Sequence, residues 1–299
     1  MKLRIKKVIF SLITFQLFPV ISQAENSQWV EWIADVEVAH AQVNNINYSA
    51  FSNDKNDDNY LSLKAAFGRV YQFSGNTRMH VALDLSSKNY NRFSLMDSNE
   101  TGINFGLRHK FGLGHYIPYL QINTSYRHLE VDAKSWSNDA FDLALEVGKH
   151  FTHNLSFAAN LTYTSQNGDA WQAIIPELSS EVFDQTFWRA EFFADYILSQ
   201  DWLLSLSYGR QEGDFNSACT VENVGKVLDT MQVKAITSDP IFGGCVYKLD
   251  GSNNIYTSNL SYALSNHSAL NLSAKFYQGK ANSLDYHGSN IQVSYNYRY

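Results

Sequence analysis

The sequence predicts an all-β fold, an antiparallel up-and-down barrel of about twelve strands that crosses a membrane. Three observations carry the prediction. Apolar and polar side chains alternate with period two in one segment after another. The connections between those segments alternate between short and long. No stretch after Ala24 approaches the roughly 18 consecutive apolar residues of a membrane helix. Composition agrees, at 44% hydrophobic and 14% aromatic with a mean hydropathy of −0.29. A helix bundle in lipid would be far more apolar, whereas a barrel shows lipid only every second strand residue.

The first residues stand apart from the fold. Arg4, Lys6 and Lys7 make a basic start, Val8 to Ile21 an apolar run, and Ser22, Gln23 and Ala24 a small-residue cleavage site. Residues 1–24 therefore read as a cleaved signal peptide and 25–299 as one mature domain. Cleavage removes Lys2, Arg4, Lys6 and Lys7 and no acid, so the formal charge moves from −6 to −10. An acidic exported chain has no electrostatic footprint for nucleic acid.

The strands follow in order. Val30, Trp32, Ala34, Val36 and Val38 oppose Glu31, Asp35 and Glu37. Leu61, Leu63, Ala65 and Phe67 oppose Ser62, Lys64 and Gly68, and Arg69 then takes the apolar parity before Tyr71, which predicts a bulge. Met79, Val81, Leu83 and Leu85 oppose His80 and Asp84, and Ile103, Phe105 and Leu107 oppose Asn104, Arg108 and Lys110. Leu120, Ile122 and Tyr126 oppose Gln121, Asn123 and Arg127, and Phe141, Leu143, Leu145 and Val147 oppose Asp142 and Glu146. Leu155, Phe157, Ala159 and Leu161 oppose Ser156, Asn160 and Thr162. Trp188, Ala190, Phe192 and Tyr196 oppose Arg189, Glu191 and Asp195. Trp202, Leu204, Leu206 and Tyr208 oppose Ser205 and Ser207, Tyr256, Leu260, Tyr262 and Leu264 oppose Asn259 and Ser261, and Leu270, Leu272 and Phe276 oppose Asn271 and Lys275. The last element sets Ile291, Val293, Tyr295, Tyr297 and Tyr299 against Gln292, Ser294, Asn296 and Arg298. Ending on an aromatic, it is expected to pair with the first strand and close the sheet.

Short turns are expected at 74–77, 112–115, 152–154, 199–201 and 265–269, and long polar loops at 44–59, 86–100, 132–139, 165–186 and 211–254. Short turns on the side of both termini and long loops on the other are the pattern of a membrane barrel, which a soluble β-sandwich has no reason to keep. Trp29, Trp32 and Trp202 fall near the short-turn rim, and Trp136, Trp171 and Trp188 near the long-loop rim, as interface anchors.

The closing strand, with its alternation and terminal Tyr299, resembles the C-terminal strand of Gram-negative outer-membrane β-barrels. The resemblance implies a porin-like barrel in the cell outer membrane, in contact with outer-membrane lipid. It also implies delivery by the barrel-assembly machinery through that strand.

The inward parity collects the candidate site. The acids Glu31, Asp35, Glu37, Asp84, Asp142, Glu146, Glu191 and Asp195 and the bases Lys64, Arg108, Lys110, Arg127, Arg189, Lys275 and Arg298 face the lumen. They line either a water-filled pore that filters small hydrophilic solutes or a lumen knitted shut by ion pairs. The mixed sign gives no preference for acidic cargo. Cys219 and Cys245, the only cysteines, lie in the longest loop of an exported chain and predict a disulfide. Between them Val224, Val227, Leu228 and Met231 recur at helical spacing. That helix could constrict the barrel, cap it or bind a partner, and an apolar segment from Trp171 to Phe183 could pack against it.

Other candidates are weaker. The run 52–59 holds four acids or amides in succession but lacks the glycine and distal glutamate of a calcium loop, and is expected as solvated loop. His287-Gly-Ser-Asn290 resembles the His-x-Ser-Asn stretch of outer-membrane phospholipase A and the lipid A 3-O-deacylase. That resemblance implies a lipid acyl hydrolase with Ser289 as nucleophile and His287 as base. The remaining histidines show no metal-ligand spacing, and no cofactor motif is present. The leading expectation is a channel, with the acyl hydrolase and a non-conducting scaffold or receptor as alternatives.

Overall fold

The computed structural model describes residues 27–168, 174–175, 177–230, 232–282 and 284–299. The signal-peptide reading of residues 1–24, the rim position of Trp171 and the helical position of Met231 lie outside the described residues. Thirteen strands form one sheet among the described residues. They are β1 (Gln28–Asn44), β2 (Asp58–Gln72), β3 (Thr77–Tyr90), β4 (Ser98–Lys110), β5 (Tyr119–Val131), β6 (Asn138–His150) and β7 (Leu155–Gly168). There follow β8 (Gln185–Ile197), β9 (Trp202–Cys219), β10 (Ala235–Ser238), β11 (Cys245–Ser265), β12 (Ser268–Ala281) and β13 (Leu284–Arg298). Each neighbouring pair in the wall is antiparallel, β11 pairs directly with β9, and β13 returns to β1. Twelve strands thus close a barrel, and β10 adds to β11 outside the ring. The protein is an all-β, antiparallel, transmembrane barrel.

Alternation decides which way each wall faces. Trp32, Leu61, Ile103, Phe192 and Val293 are all more than half exposed, on the parity that the sequence gives to lipid. A continuous outer belt of large apolar side chains is stable only against hydrocarbon. No described helix is long and apolar enough to cross a membrane, so the crossing belongs to strands.

The irregularity near Arg69 sits on the partner strand. Trp29 pairs with Tyr71 and Glu31 with Val70, leaving Val30 as the extra residue of a bulge in β1. Trp29 and Trp32 consequently both face outward, and the Arg69 guanidinium lies 4.4 Å from the Trp32 ring and 5.1 Å from the Trp29 ring. Arg69 keeps the lipid parity because it sits at the short-turn rim, where a cation above aromatic faces is tolerated.

The largest boundary differences from the sequence expectation are at β9–β11 and β3. Most of 211–254 is strand: β9 and β11 stay paired from Tyr262↔Trp202 up to Cys245↔Cys219, well beyond the rest of the wall. Period two is hidden there because both faces of the hairpin are covered. Phe215 and Leu249 are buried on one face, Ala218 and Val246 on the other. Similarly, β3 runs on to Tyr90, into the expected loop 86–100.

Candidate functional site

Strand pairing carries the inward charges in rows around the wall. Asp35 pairs through Ala66 to Asp84, Gly102 and Arg127. Glu37 pairs through Lys64 to Ser86 and Glu100. Arg108 leads through Gln121 to Glu146, Asn160 and Glu191, and Lys110 through Tyr119 to Gly148. Gly148 leaves room for the Tyr119 ring that lies across it, which a Cβ would displace.

Opposite charges then meet across neighbouring strands. Lys64 Nζ lies 2.8 Å from Glu37 Oε1. Arg298 donates to both Asp35 oxygens, Nε at 2.8 Å and Nη2 at 3.1 Å. Arg127 bridges two acids, with Nη2 2.9 Å from Asp142 Oδ2 and Nη1 3.3 Å from Glu100 Oε2. Asp142 also accepts from Ser125 Oγ at 3.0 Å and Thr164 Oγ1 at 2.7 Å.

The acids of the far wall have hydroxyl partners instead. Tyr119 donates to Glu146 at 2.8 Å, Ser207 to Glu191 at 2.8 Å, and Ser156 to Asp195 at 3.4 Å. Aromatic faces take several bases: Arg108 sits 3.5 Å above Tyr119, Lys275 5.2 Å from Tyr277 and Arg189 5.9 Å from Phe187. The wall therefore carries local pairs rather than one charged face.

Space remains between these groups. A cavity of about 730 Å³ is bounded by Lys64, Asp84, Lys88, Glu100 and Arg127 and reaches the β11–β12 turn at His267. A second, of about 340 Å³, is bounded by Glu31, Arg78, His80, Arg108 and Gln121. Asp35 and Arg298 border both, so their ion pair stands between the two chambers. Lys88 and Arg78 were missed as lumen residues. Lys88 was legible by extending the parity of Asp84 two pairs further, but lay in what the sequence presented as loop.

The long-loop end is different in kind. Cys219 and Cys245 are joined by a disulfide, with Cα atoms 5.1 Å apart. Beneath it the inner face of the β9–β11 extension buries Phe215, Tyr247 and Leu249 with Tyr286 of β13. Helix α1 (Val224–Thr230) lays Val224, Val227 and Leu228 on this cluster, and the β1–β2 loop adds Tyr48, Ala50 and Phe51.

Tyr48 stacks on Tyr286 at 5.6 Å and meets Phe215 edge-on at 5.7 Å. It is held at φ 51°, a costly conformation for a bulky residue, and its hydroxyl is buried without a partner among the described residues. Burial raises its phenol pKa well above the usual value. Gly279 makes the space for it, since a Cβ there would overlap the Tyr48 hydroxyl.

The opposite face of the hairpin buries Val182, Phe183, Ala235 and Val246 against Trp136 and Phe242. Phe93, from the β3–β4 connection, meets Phe242 at 4.8 Å. Loops from across the ring thus converge on one hairpin, which lies over the mouth as a cap. Trp136 belongs to this cap, with its indole 3.3 Å from Asp239 Oδ1, and is not a lipid anchor. Asp239 also accepts from the Ile241 and Phe242 amides, and burial nevertheless raises its carboxyl pKa.

The acidic run 52–59 is not a solvated loop either. Asp54 is 2% exposed and accepts from Thr220 Oγ1 and Asn223 Nδ2, both at 2.6 Å, tying the β1–β2 loop to the cap. Asp58 accepts from the Arg92 and Phe93 amides at 3.0 Å. No cluster fit to hold a metal ion occurs among the described residues. Three rim imidazoles do gather, His115 at 4.1 Å from His150 and 6.0 Å from His153 by ring centroid, but they stack rather than converge.

His287 and Ser289 lie on β13 near the long-loop rim, on the outward parity shared with Phe276 and Asn44. The Ser289 hydroxyl accepts from Asn44 Nδ2 at 3.1 Å. A groove of about 420 Å³ beside them is bounded by Asn45, Lys55, Asp57 and Phe276.

Comparison with solved structures places this architecture. The COG4313 outer membrane channel from Pseudomonas putida F1 superposes with a TM-score of 0.52 at 12% identity, over 93% of this chain and 100% of that one. The fold is that of an outer-membrane barrel. The NanC porin matches at a TM-score of 0.46 and 8% identity, over 89% and 100% of the two chains. The KdgM porin, solved with disordered oligogalacturonate, matches at 0.44 and 10%, over 89% and 99%. No family model matches the sequence, and no curated relative matches it.

Proposed function

We propose that this protein is an outer-membrane channel of a Gram-negative bacterium that passes small hydrophilic solutes, with its outer mouth covered by a disulfide-pinned cap. The observation that carries the reading is the pair of chambers bordered by charged side chains inside a barrel whose outer face is apolar. A barrel built only as a scaffold has no need of solvent-sized space between charged walls. The inward acids and bases tune which solutes enter, and outer-membrane lipid surrounds the apolar belt. Signal-peptide cleavage and delivery through the C-terminal strand to the assembly machinery complete the reading.

The capped mouth favours a second reading, a closed barrel that works as a receptor through its loops. The acyl-hydrolase reading has less support, because the Ser289 hydroxyl is engaged by Asn44 rather than by His287. Conductance of refolded residues 25–299 in a planar bilayer, with and without reductant, tests the proposal. Discrete open steps that grow or lengthen on reduction are expected. Silence of a folded barrel under both conditions overturns it in favour of the receptor.

A further inference from the structure

Most charges bordering the larger chamber are spoken for. Lys64 is paired with Glu37, Arg127 with Glu100 and Asp142, and Arg298 with Asp35. Two are not: Lys88 and Asp84 border the chamber and make no ion pair among the described residues. Both lie on β3, four residues apart, and the strand parity points them to the same face.

Their in-register neighbours are small on both sides. Lys88 pairs in register with Ser62 and Ser98, and Asp84 with Ala66 and Gly102. Small neighbours leave each charge reachable from the cavity, whereas Ser86 between them is flanked by Lys64 and Glu100. The wall thus presents an ammonium and a carboxylate with no ion-pair partner among the described residues, the ammonium 5.9 Å from the Tyr60 ring and the carboxylate hydrogen-bonded by Asn104, with a neutral hydroxyl between.

We propose that this face of β3 is a solute-binding subsite for a zwitterion, with Lys88 taking its carboxylate and Asp84 its ammonium. The two Cα atoms are roughly 13 Å apart at the rise of a strand, and the long lysine side chain shortens the distance its partner must span. An extended tripeptide covers about 10 Å, so short peptides and similarly spaced amino acids are the class that fits. A dianion or dication meets one matching and one opposing charge and is disfavoured. The inference deepens the channel reading by naming its solute class, and rests on it for physiological meaning, though binding itself does not require conduction.

Calorimetric titration of refolded residues 25–299 with triglycine tests it, with N-acetyl-triglycine and triglycine amide as comparators that each lack one charge. Triglycine is expected to bind saturably and at least tenfold tighter than either comparator. Lys88→Met is expected to erase the preference over the amide, and Asp84→Asn the preference over the acetylated peptide. The double exchange Asp84→Lys with Lys88→Asp should keep triglycine binding with the peptide reversed, which controls for loss of fold. Equal binding of all three peptides, no saturable binding of triglycine, or an unchanged ranking in both single variants overturns the subsite. Open steps in the bilayer without triglycine binding remove the subsite and leave the channel. Triglycine binding by a silent barrel removes the channel and leaves the subsite.

Discussion

The lumen wall and the cap are built from opposite materials. The wall joins its side chains through ion pairs and hydroxyl bonds, such as Arg127 between Glu100 and Asp142. Partly solvated pairs of that kind contribute on the order of 0–1 kcal/mol each. The cap has a water-free interior: Tyr247, Tyr286, Leu249 and Ile236 are each 0% exposed. Burial of such side chains is worth roughly 1.5–3 kcal/mol apiece. The wall's interactions thus fix local charge at little energetic consequence, while the cap's hold the loops together. On the channel proposed above, selectivity would belong to the first and access to the second.

The largest test strips the outer part of the cap. Replacing 220–244 by a short Gly-Ser turn, with Cys219 and Cys245 kept, takes away α1 and β10 and leaves the barrel wall complete. Conductance is expected to rise several-fold while the heat-shifted mobility of the folded barrel on a cold gel is retained. Unchanged conductance would mean that the path is blocked by the retained hairpin or within the wall.

A smaller change loosens the cap without shortening it. Asp54→Ala strands the Thr220 and Asn223 donors that it accepts. Leaving a buried polar group unpaired costs about 1–3 kcal/mol. Amide hydrogen exchange in α1 should quicken by one to two decades, with exchange in the lower half of β4 to β7 unchanged. Equal quickening in both regions would show that cap and wall unfold as one unit.

How much of this was legible follows the same division. Wall strands were readable because one face meets lipid and the other water, so residues such as Leu143 and Asp142 alternate in the sequence as they do in space. The cap was not. Where Phe215, Ala218, Val246 and Leu249 are all buried from both sides, alternation vanishes and the hairpin reads as loop. The run at Asp54 looked solvated because composition records charge and not the Thr220 and Asn223 groups brought to it from about 166 residues away. The disulfide and the helical spacing at Val224 and Val227 were readable because each depends on near neighbours or on export alone. Lys88 fell between the two cases, on a strand whose upper end outlasts the apolar belt.

On the wall side, Arg127→Gln leaves Glu100 and Asp142 without their shared cation. The remaining negative charge should move the reversal potential in a salt gradient toward cation preference, with thermal stability lowered by about 1 kcal/mol or less. The open-state size should change little, because the glutamine is only two heavy atoms shorter. A large drop in stability with no change in selectivity would show the network to be structural only.

The smallest expected effect concerns Asp239, where burial and hydrogen bonding oppose each other. Burial raises its pKa above the ordinary aspartate value, although the Ile241 and Phe242 amides and the Trp136 indole all favour the carboxylate. A carboxyl whose pKa is raised on folding stabilises the fold fully below its unfolded pKa, near 3.9, and that stabilisation is lost as pH rises through the folded value. At neutral pH the ionised group therefore weighs against the cap. Asp239→Asn removes the charge and keeps an acceptor for the Ile241 amide and the Trp136 indole, which share Oδ1, at the cost of the Phe242 bond to Oδ2. Exchange of the amides in β10 should be slower in the variant at pH 7, and the difference should shrink toward pH 4. Faster exchange in the variant at pH 7 would reverse the order of the two effects: charge-assisted bonds to the carboxylate would then outweigh its desolvation, and the cap would gain from ionisation at its rim as the wall does from its pairs.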